Sequence, residues 1–505
     1  MRPKLSQLLR VVHTCHAWYY LFHNSKSTTA QGLWASCQLN TEIGAELLNM
    51  IVERSGNSLL DIEDRGGRMI DWCFKNLPRV QTLRLQFTHP SELIWISTAK
   101  GNNLKTLHID GSKAHCSSQG IKMYLPRLCN GDTPSLKHLH LSGIRLPWAA
   151  GQYTHLVTLT IIVGSLKMDD DKDFHTIFSE SPDLEEFIFH CEREQFVLVR
   201  SKDEDGDNLP VPKHRTPLRK LRRLDLYLRP VDIQHVLQGI STPKMTSVKI
   251  EAIVPRSKNY GTRKGVSLIP ENHHCLQSLS TIQRLVINAR DRTILGTGTT
   301  PGTFEFKTIP DSTYESSVRD GRGTNADTIF LDTMSWLLGN AVSPSCLNEI
   351  VFEDHSKIKG QSLLDAERVI HCLRRFDQLR QLTFDTCSDD FVKILAREGK
   401  SMASPNSLEL SALRFHSMRS TAPSLRELTL NHSNLGNKVT LHLRDFQLVS
   451  ESEKDAQELM NLLQTSKCLG PHSTITARWG NCDHSVYYIT GIGAESGRWK
   501  IEGSG

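Results

Sequence analysis

No Cys-x-x-Cys pair occurs in this 505-residue chain, whose twelve cysteines are scattered singly. That spacing excludes a structural zinc module and a disulfide-dense secreted domain, and predicts reduced thiols in a cytoplasmic and/or nuclear protein. No apolar run approaches the ~20 residues a membrane-spanning helix needs. Arg10, His13 and His16 interrupt the opening Met1–Tyr20 stretch, so no secretory leader is read there and no membrane partner is expected. Charge of one sign is also missing. Sixty basic residues face 55 acidic ones, which supplies no general attraction for nucleic acid.

Recognisable catalytic spacings are missing too. There is no Gly-x-Ser-x-Gly elbow and no His-Glu-x-x-His helix, so no catalytic residue is assigned and no enzyme activity is expected. His273-His274-Cys275 is the densest run of ligand-type residues, but adjacent side chains do not converge easily on one tetrahedral ion. A calcium loop starting at Asp203 would need Gly sixth and Glu twelfth, where Asn208 and His214 stand. Gly296-Thr297-Gly298 and its neighbours lack the Lys-Ser/Thr that follows a phosphate-cradling loop. No metal and no cofactor are predicted.

What the chain does have is a recurring phrase. Pro134-Ser135-Leu136-Lys137-His138-Leu139-His140-Leu141 and Pro423-Ser424-Leu425-Arg426-Glu427-Leu428-Thr429-Leu430 are one word with different polar letters, and Pro182 to Phe189 is a third copy. In Leu-x-x-Leu-x-Leu the last two apolar side chains fall on one face of a strand. Looser matches at Val80/Leu83/Leu85, Leu104/Leu107/Ile109, Leu156/Leu159/Ile161, Leu221/Leu224/Leu226, Met245/Val248/Ile250, Ile282/Leu285/Ile287, Leu347/Ile350/Phe352 and Leu379/Leu382/Phe384 are ordered along the chain. Their spacing of roughly 20 to 40 residues is that of a strand-plus-helix repeat. One such unit cannot bury its apolar face alone, so recurrence implies stacking. The predicted fold is an α/β, irregular leucine-rich-repeat solenoid, with parallel strands and outer helices or loops.

The organisation predicted is a helical module and linker over 1–75, repeats over 76–289, a flexible insertion over 290–330, repeats over 331–445 and a capping region over 446–505. Helical patterns fall at Glu42–Arg54, Leu363–Phe376 and Glu451–Leu463, and Leu59-Leu60-Asp61-Ile62 reads as the first extended segment. The 290–330 stretch is assigned as an insertion because it is rich in Gly and Pro and poor in large apolar residues. Lys213 to Arg223 is a basic run whose apolar members fit the repeat pattern, so it reads as a solvated basic face, with a nuclear-import or acidic-partner patch as the second reading.

The opening resembles a fungal, basidiomycete-type F-box protein with irregular leucine-rich repeats. Leu9, Val12, Cys15, Trp18 and Leu21 match that family's helix, and Leu33-Trp34 matches its Leu-Trp. Residues Leu47 to Ile62 are similar to the segment that joins the box to the repeats. The family's Leu-Pro-x-Glu-Ile-x-x-x-Ile-Phe opening helix is absent, so the box is expected to be truncated or degenerate. The resemblance implies the non-catalytic substrate receptor of a Skp–cullin–F-box ubiquitin ligase, a monomer within a complex. Leu9, Val12, Cys15, Trp18, Leu33 and Trp34 would face a Skp-type adaptor, and the repeats would hold a protein target. The alternative is a leucine-rich-repeat interaction scaffold without ligase docking.

Strand alternation also selects a target face. The residue between the last two apolar positions points away from the core, which picks out Arg84, His108, His140, Thr160, Asp225, Lys249, Thr383 and Thr429 on the concave side. The Arg and His members predict a basic N-terminal half, more so below pH 6 as the histidines charge, suited to an acidic or phosphorylated segment.

Overall fold

The computed structural model describes residues 10, 14, 19–20, 28–39, 45–64, 70–87, 96, 98, 100–112, 128–131, 133–144, 153–163, 172–191, 215–254, 275–298, 301–310, 325–354, 363–376, 378–398, 411–434, 440–450, 452–465, 473–479, 485–490 and 500–503. The chain divides into two compact units, Met1–Pro243 and Lys244–Gly505. That boundary falls inside the 76–289 stretch predicted as continuous repeats.

The first unit contains helices α1 (Thr28–Ala35) and α2 (Ala45–Arg54) and a short α3 (Ile70–Lys75). Its ladder runs through β1 (Ser36–Leu39), β2 (Leu60–Asp64), β3 (Val80–Gln86), β4 (Thr106–Asp110), β5 (His138–Ser142), β6 (Thr158–Val163) and β7 (Glu186–Cys191). After the two-residue β8 (Thr216–Pro217) comes β9 (Arg223–Leu228), which pairs with β7. Every neighbouring pair in this ladder is parallel. Helix α4 (Lys172–Glu180) precedes β7, and α5 (Pro230–Gly239) leads from β9 to β10 (Ile240–Ser241), which pairs with β8.

The repeated phrase acts as the ladder's register mark. Leu83, Leu107, Leu139, Leu159, Phe187 and Leu224 are successive partners, and so are Leu85, Ile109, Leu141, Ile161, Phe189 and Leu226. All are buried, as are the anchors Val80, Leu104, Leu136, Leu156, Leu184 and Leu221. Several anchors sit on a tight turn, with Leu104 N–H donating to Gly101 O (3.0 Å), Leu136 to Thr133 O (3.1 Å) and Leu184 to Ser181 O (3.2 Å). Just past the anchor, one carbonyl receives two amides of the next strand. Lys105 O accepts from Lys137 and His138, Lys137 O from Val157 and Thr158, and Glu185 O from Arg222 and Arg223. These bonds clamp each repeat to its neighbour before the strand begins, and satisfy carbonyls that burial would otherwise orphan.

The second unit has β11 (Ser247–Val254), β12 (Ile282–Asn288), β13 (Thr293–Gly298), β14 (Thr303–Pro310), β15 (Glu349–Glu353), β16 (Gln381–Asp385), β17 (Ala412–His416), β18 (Arg419–Thr421), β19 (Thr440–Arg444) and β20 (Phe446–Ser450). From β12 the ladder continues in parallel through β15, β16, β17 and β19. Its core carries a line of phenylalanines. Phe352 and Phe384 stack at 5.5 Å between centroids, and Phe384 and Phe415 at 5.7 Å. Helices α6 (Asn325–Trp336), α7 (Ala366–Leu373), α8 (Asp390–Glu398), α9 (Ala422–Asn434) and α10 (Glu453–Thr465) alternate with the later strands, and α7 to α10 pack in sequence. No described helix is long and apolar enough to cross a membrane.

Three non-glycine residues turn the chain at the ends of these strands. Thr386, Ser417 and Asp445 have φ of 54°, 48° and 51°, one residue beyond β16, β17 and β19. Thr386 N–H donates to His416 O (2.9 Å) and Ser417 N–H to Arg444 O (2.8 Å), so pairing continues through the corners. After the corners, β18 and β20 form a second sheet with β21 (Thr474–Trp479), β22 (Ser485–Thr490) and β23 (Lys500–Gly503). Within the capping region 446–505, β21 and β22 form an antiparallel pair. It adds to β20 of this second sheet rather than to the last ladder strand.

Three sequence expectations need correction. In the segment 290–330 the described residues 290–298, 301–310 and 325–330 form two strands and the start of α6 instead of an unstructured insertion, while 299–300 and 311–324 lie outside the described residues. β13 and β14 form a meander with β12, and β14 then pairs in parallel with β11. Its glycines are needed for close approach: a Cβ on Gly298 would sit 2.4 Å from Thr281 O, and one on Gly296 2.6 Å from Ile282 Cδ1. Ile294, Phe304 and Phe306 supply the buried apolar content that the glycine-rich composition concealed. The 423–430 phrase lies in α9, not in a strand. Leu425 and Leu428 are buried but Leu430 is exposed, because three residues suit a helical face whereas five rotate away from it by about 140°. Finally, Met245 is 56% exposed and Thr246 takes the buried position before Val248.

Leu382→Ala and Leu428→Ala are each expected to lower stability by about 2–5 kcal/mol, while Leu430→Ala changes it by no more than about 0.5 kcal/mol. Urea unfolding monitored on the second unit's signal checks this, and equal losses at Leu428 and Leu430 would contradict the orientation of α9. Gly298→Ala is expected to cost about 1–3 kcal/mol through overpacking against Thr281, whereas an unchanged midpoint would mean that β12 and β13 are not this close.

Candidate interaction face

Alternation along each strand leaves one side of the ladder lined by residues that are not part of the core. In the first unit the middle outward row runs Glu63, Arg84, His108, His140, Thr160, Ile188, Asp225 in direct register. Arg84, His108, His140 and Thr160 are therefore adjacent, as the alternation predicted. Sequence reasoning missed Glu63 and Ile188, which occupy the same row at the equivalent strand position. Asp225 is in the row but buried, accepting from Arg223 Nη2 and His190 Nε2, both at 3.1 Å.

Lys249 and Thr383 belong to the second unit. Their row is Lys249, Glu305, Leu295, Val286, Val351, Thr383, Arg414, His442. Lys249 pairs with Glu251 at 2.9 Å, Thr383 is buried, and Leu295 is 42% exposed. Thr429 is not on this face. It lies buried in α9 with its hydroxyl donating to Leu425 O at 2.8 Å. Strand β17, missed by sequence reasoning, was detectable, since Leu410-Ser411-Ala412-Leu413-Arg414-Phe415 fits the repeated spacing.

The centre of the first unit's row is a pair of stacked imidazoles. The rings of His108 and His140 are 3.9 Å apart and 4° from parallel. Burial and then Arg84 depress His108, against the opposing pull of Asp110 and Glu63. Burial and then His108 push His140 down to about 4. Burial raises Asp110, yet hydrogen bonds from Ser112, Gln86 and Ser142 outweigh it and hold the carboxylate below its ordinary range; Gln86 Nε2 and Ser112 N each lie 2.9 Å away. The expectation of a basic half that charges below pH 6 is thus corrected. His140 remains neutral at pH 6, and Arg84 lies directly beside Glu63 on β2.

In the basic run before β9, Lys220 and Arg222 are paired. Leu218 and Leu221 are buried, while Lys220 lies 2.8 Å from Asp183 and Arg222 3.9 Å from Glu185. At such exposure these pairs contribute little stability, and they link neighbouring repeats.

In the N-terminal module, Trp34 is buried and Leu33 half-buried on α1, and the Arg54 guanidinium of α2 lies 5.5 Å from the Trp34 ring centroid. Leu9, Val12, Cys15 and Trp18 lie outside the described residues. Among the described residues no group of three or more His, Cys, Asp or Glu could hold a metal ion. Burial raises the Cys73 and Cys387 thiols above their ordinary range, with nearby carboxylates adding to it.

No family model matches the chain, and no curated protein matches it. Among solved structures, a crystal structure of a TLR13–ssRNA13 complex is similar at 13% identity and a TM-score of 0.28, over 80% of this chain and 45% of that chain. A likeness of that size carries no conclusion, and the leucine-rich-repeat character rests on the ladder itself.

The depressed His140 sets a pH dependence of definite sign. Its folded value of about 4 lies below the ordinary 6.5, so the unfolded chain takes up this proton first. The stability involved is fully present above pH 6.5 and is lost as pH falls towards 4. The first unit should therefore melt at lower temperature at pH 5 than at pH 7, with a smaller drop in His140→Gln. An NMR midpoint near 6.5 for His140 would refute the half-buried stack.

Proposed function

We propose that this chain is a non-catalytic interaction subunit whose ladder face holds a protein segment. The observation that carries this reading is the in-register outward row, in which consecutive strands place single side chains side by side. Such a face offers many small contacts on rigid strands, the arrangement repeat proteins use for binding. The finer reading is that of a substrate receptor of a Skp–cullin–F-box ubiquitin ligase. It is supported by the Leu9 to Trp34 resemblance and by a helical pair, α1 and α2, that buries Trp34 ahead of the repeats. In that role the protein raises the effective concentration of a target beside the conjugating enzyme and performs no bond chemistry itself.

The test is co-purification with a Skp-type adaptor. The wild-type chain should retain it, and Trp34→Ala should lose it, because truncating a buried Trp costs about 3–5 kcal/mol and unfolds a small module. Circular dichroism of the variant should keep the repeat signal. A wild-type chain that captures a protein target without the adaptor would exclude ligase docking and leave the scaffold reading.

A further inference from the structure

At the last two strands of the second unit's ladder, four basic side chains form a square. Arg414 and His416 alternate outward on β17, and Arg414 pairs in register with His442 and His416 with Arg444 on β19. Strand spacing of about 4.8 Å and a two-residue rise of about 6.7 Å put the diagonal Cα atoms about 8 Å apart, so both guanidinium groups can reach one oxyanion. Arg414 has no ion pair among the described residues, and Arg444 is 71% exposed with Asp445 at 3.8 Å. No carboxylate occupies any of the four positions.

The two strands before it contrast with this. The equivalent outward positions of β15 and β16 hold Val351, Glu353, Thr383 and Asp385, so the row Glu353, Asp385, His416, Arg444 passes from acid to base. Along these four strands the basic outward positions thus fall on β17 and β19, with Asp385 beside His416 on one side and Asp445 beside Arg444 on the other. A polyanion that needs a long basic track would meet these carboxylates, whereas a single anionic group would not.

We infer that Arg414, His416, His442 and Arg444 bind one phosphoryl group carried by a side chain of a protein segment laid across the ladder. Arginine forks match phosphate oxygens in a bidentate manner, and two imidazoles add N–H donors beside them. This assignment rests on the reading of the ladder face as a protein-binding surface, and names the chemistry of what it binds. His416 reports on the site directly. Burial lowers it, Asp385 and Asp445 oppose that, and Arg444 and Arg414 add to it, so an anion between the arginines should move its titration midpoint upward.

The experiment is an NMR titration of His416 and His442 in the full chain at pH 7, with four probes: inorganic phosphate, a short phosphoserine peptide, its unphosphorylated form and poly(U). The phosphoserine peptide should shift both imidazoles and raise the His416 midpoint, inorganic phosphate should do so more weakly, and the unphosphorylated peptide should do neither. Arg414→Gln and Arg444→Gln should each weaken the peptide at least tenfold without changing the melting temperature, while Arg426→Gln on α9 should leave binding unchanged. Equal shifts with both peptides, no shift with either, or tighter binding of poly(U) would overturn the inference. Failure here with intact capture of a protein target would refute the phosphoryl site alone, and loss of all target capture would refute the interaction reading beneath it.

Discussion

Each strand of the ladder has one dry face, and its hydrogen bonds run to the strands on either side. That pairing is the constraint on which the rest of the structure depends. Parallel register places the apolar pair of one repeat directly beside that of the next, and the doubly accepting carbonyls of Lys105, Lys137 and Glu185 clamp that register at the start of each strand. A slip of one residue would turn every buried leucine outward. The outward rows are consequently as ordered as the core rows, although they bury little surface.

This coupling explains why the candidate face differs from a simple list of polar residues. Once His108 and His140 are in register, their rings stack, and the neutral pair becomes cheaper than two adjacent imidazolium charges. Asp225 shows the opposite resolution. It is buried, and it persists because Arg223 and His190 both hydrogen-bond to it. In the second unit the same geometry leaves Leu295, Val286 and Val351 between the Lys249–Glu305 pair and the basic pair Arg414–His442. The left-handed corners at Thr386, Ser417 and Asp445 end the ladder strands sharply, and those at Ser417 and Asp445 free the chain to build the second sheet.

Legibility varied with how local the governing physics was. The phrases at Leu136/Leu139/Leu141 and Leu382/Phe384 were readable because strand alternation is a property of a few consecutive residues. The copy at 423–430 was misleading, since Leu-x-x-Leu satisfies both a strand anchor and one face of a helix. Only Leu430 distinguishes them, and it is exposed. Ala422-Pro423 at the first turn, followed by Arg426 and Glu427, favours the helix, a local signal that the match to a repeat obscured. The glycines of 290–330 read as looseness, yet Gly296 and Gly298 permit strands to approach where a Cβ would collide with Ile282 or Thr281.

By itself the sequence determined the parallel class of the ladder strands and the buried leucines of the phrases that do form strands, such as Leu136, Leu139 and Leu141, because these follow from alternation and from the need of each apolar face for a neighbour. It also determined that Arg84, His108, His140 and Thr160 share a face. Tertiary structure alone decided which strands are neighbours, as in the insertion of β13 and β14 between β11 and β12. It likewise decided the charge state of the stacked histidines and the convergence of Arg414, His416, His442 and Arg444. The physical reason is common to all three: pairing partners and burial are set by residues distant in sequence, and the energy of a charge depends on what surrounds it rather than on its own chain neighbours.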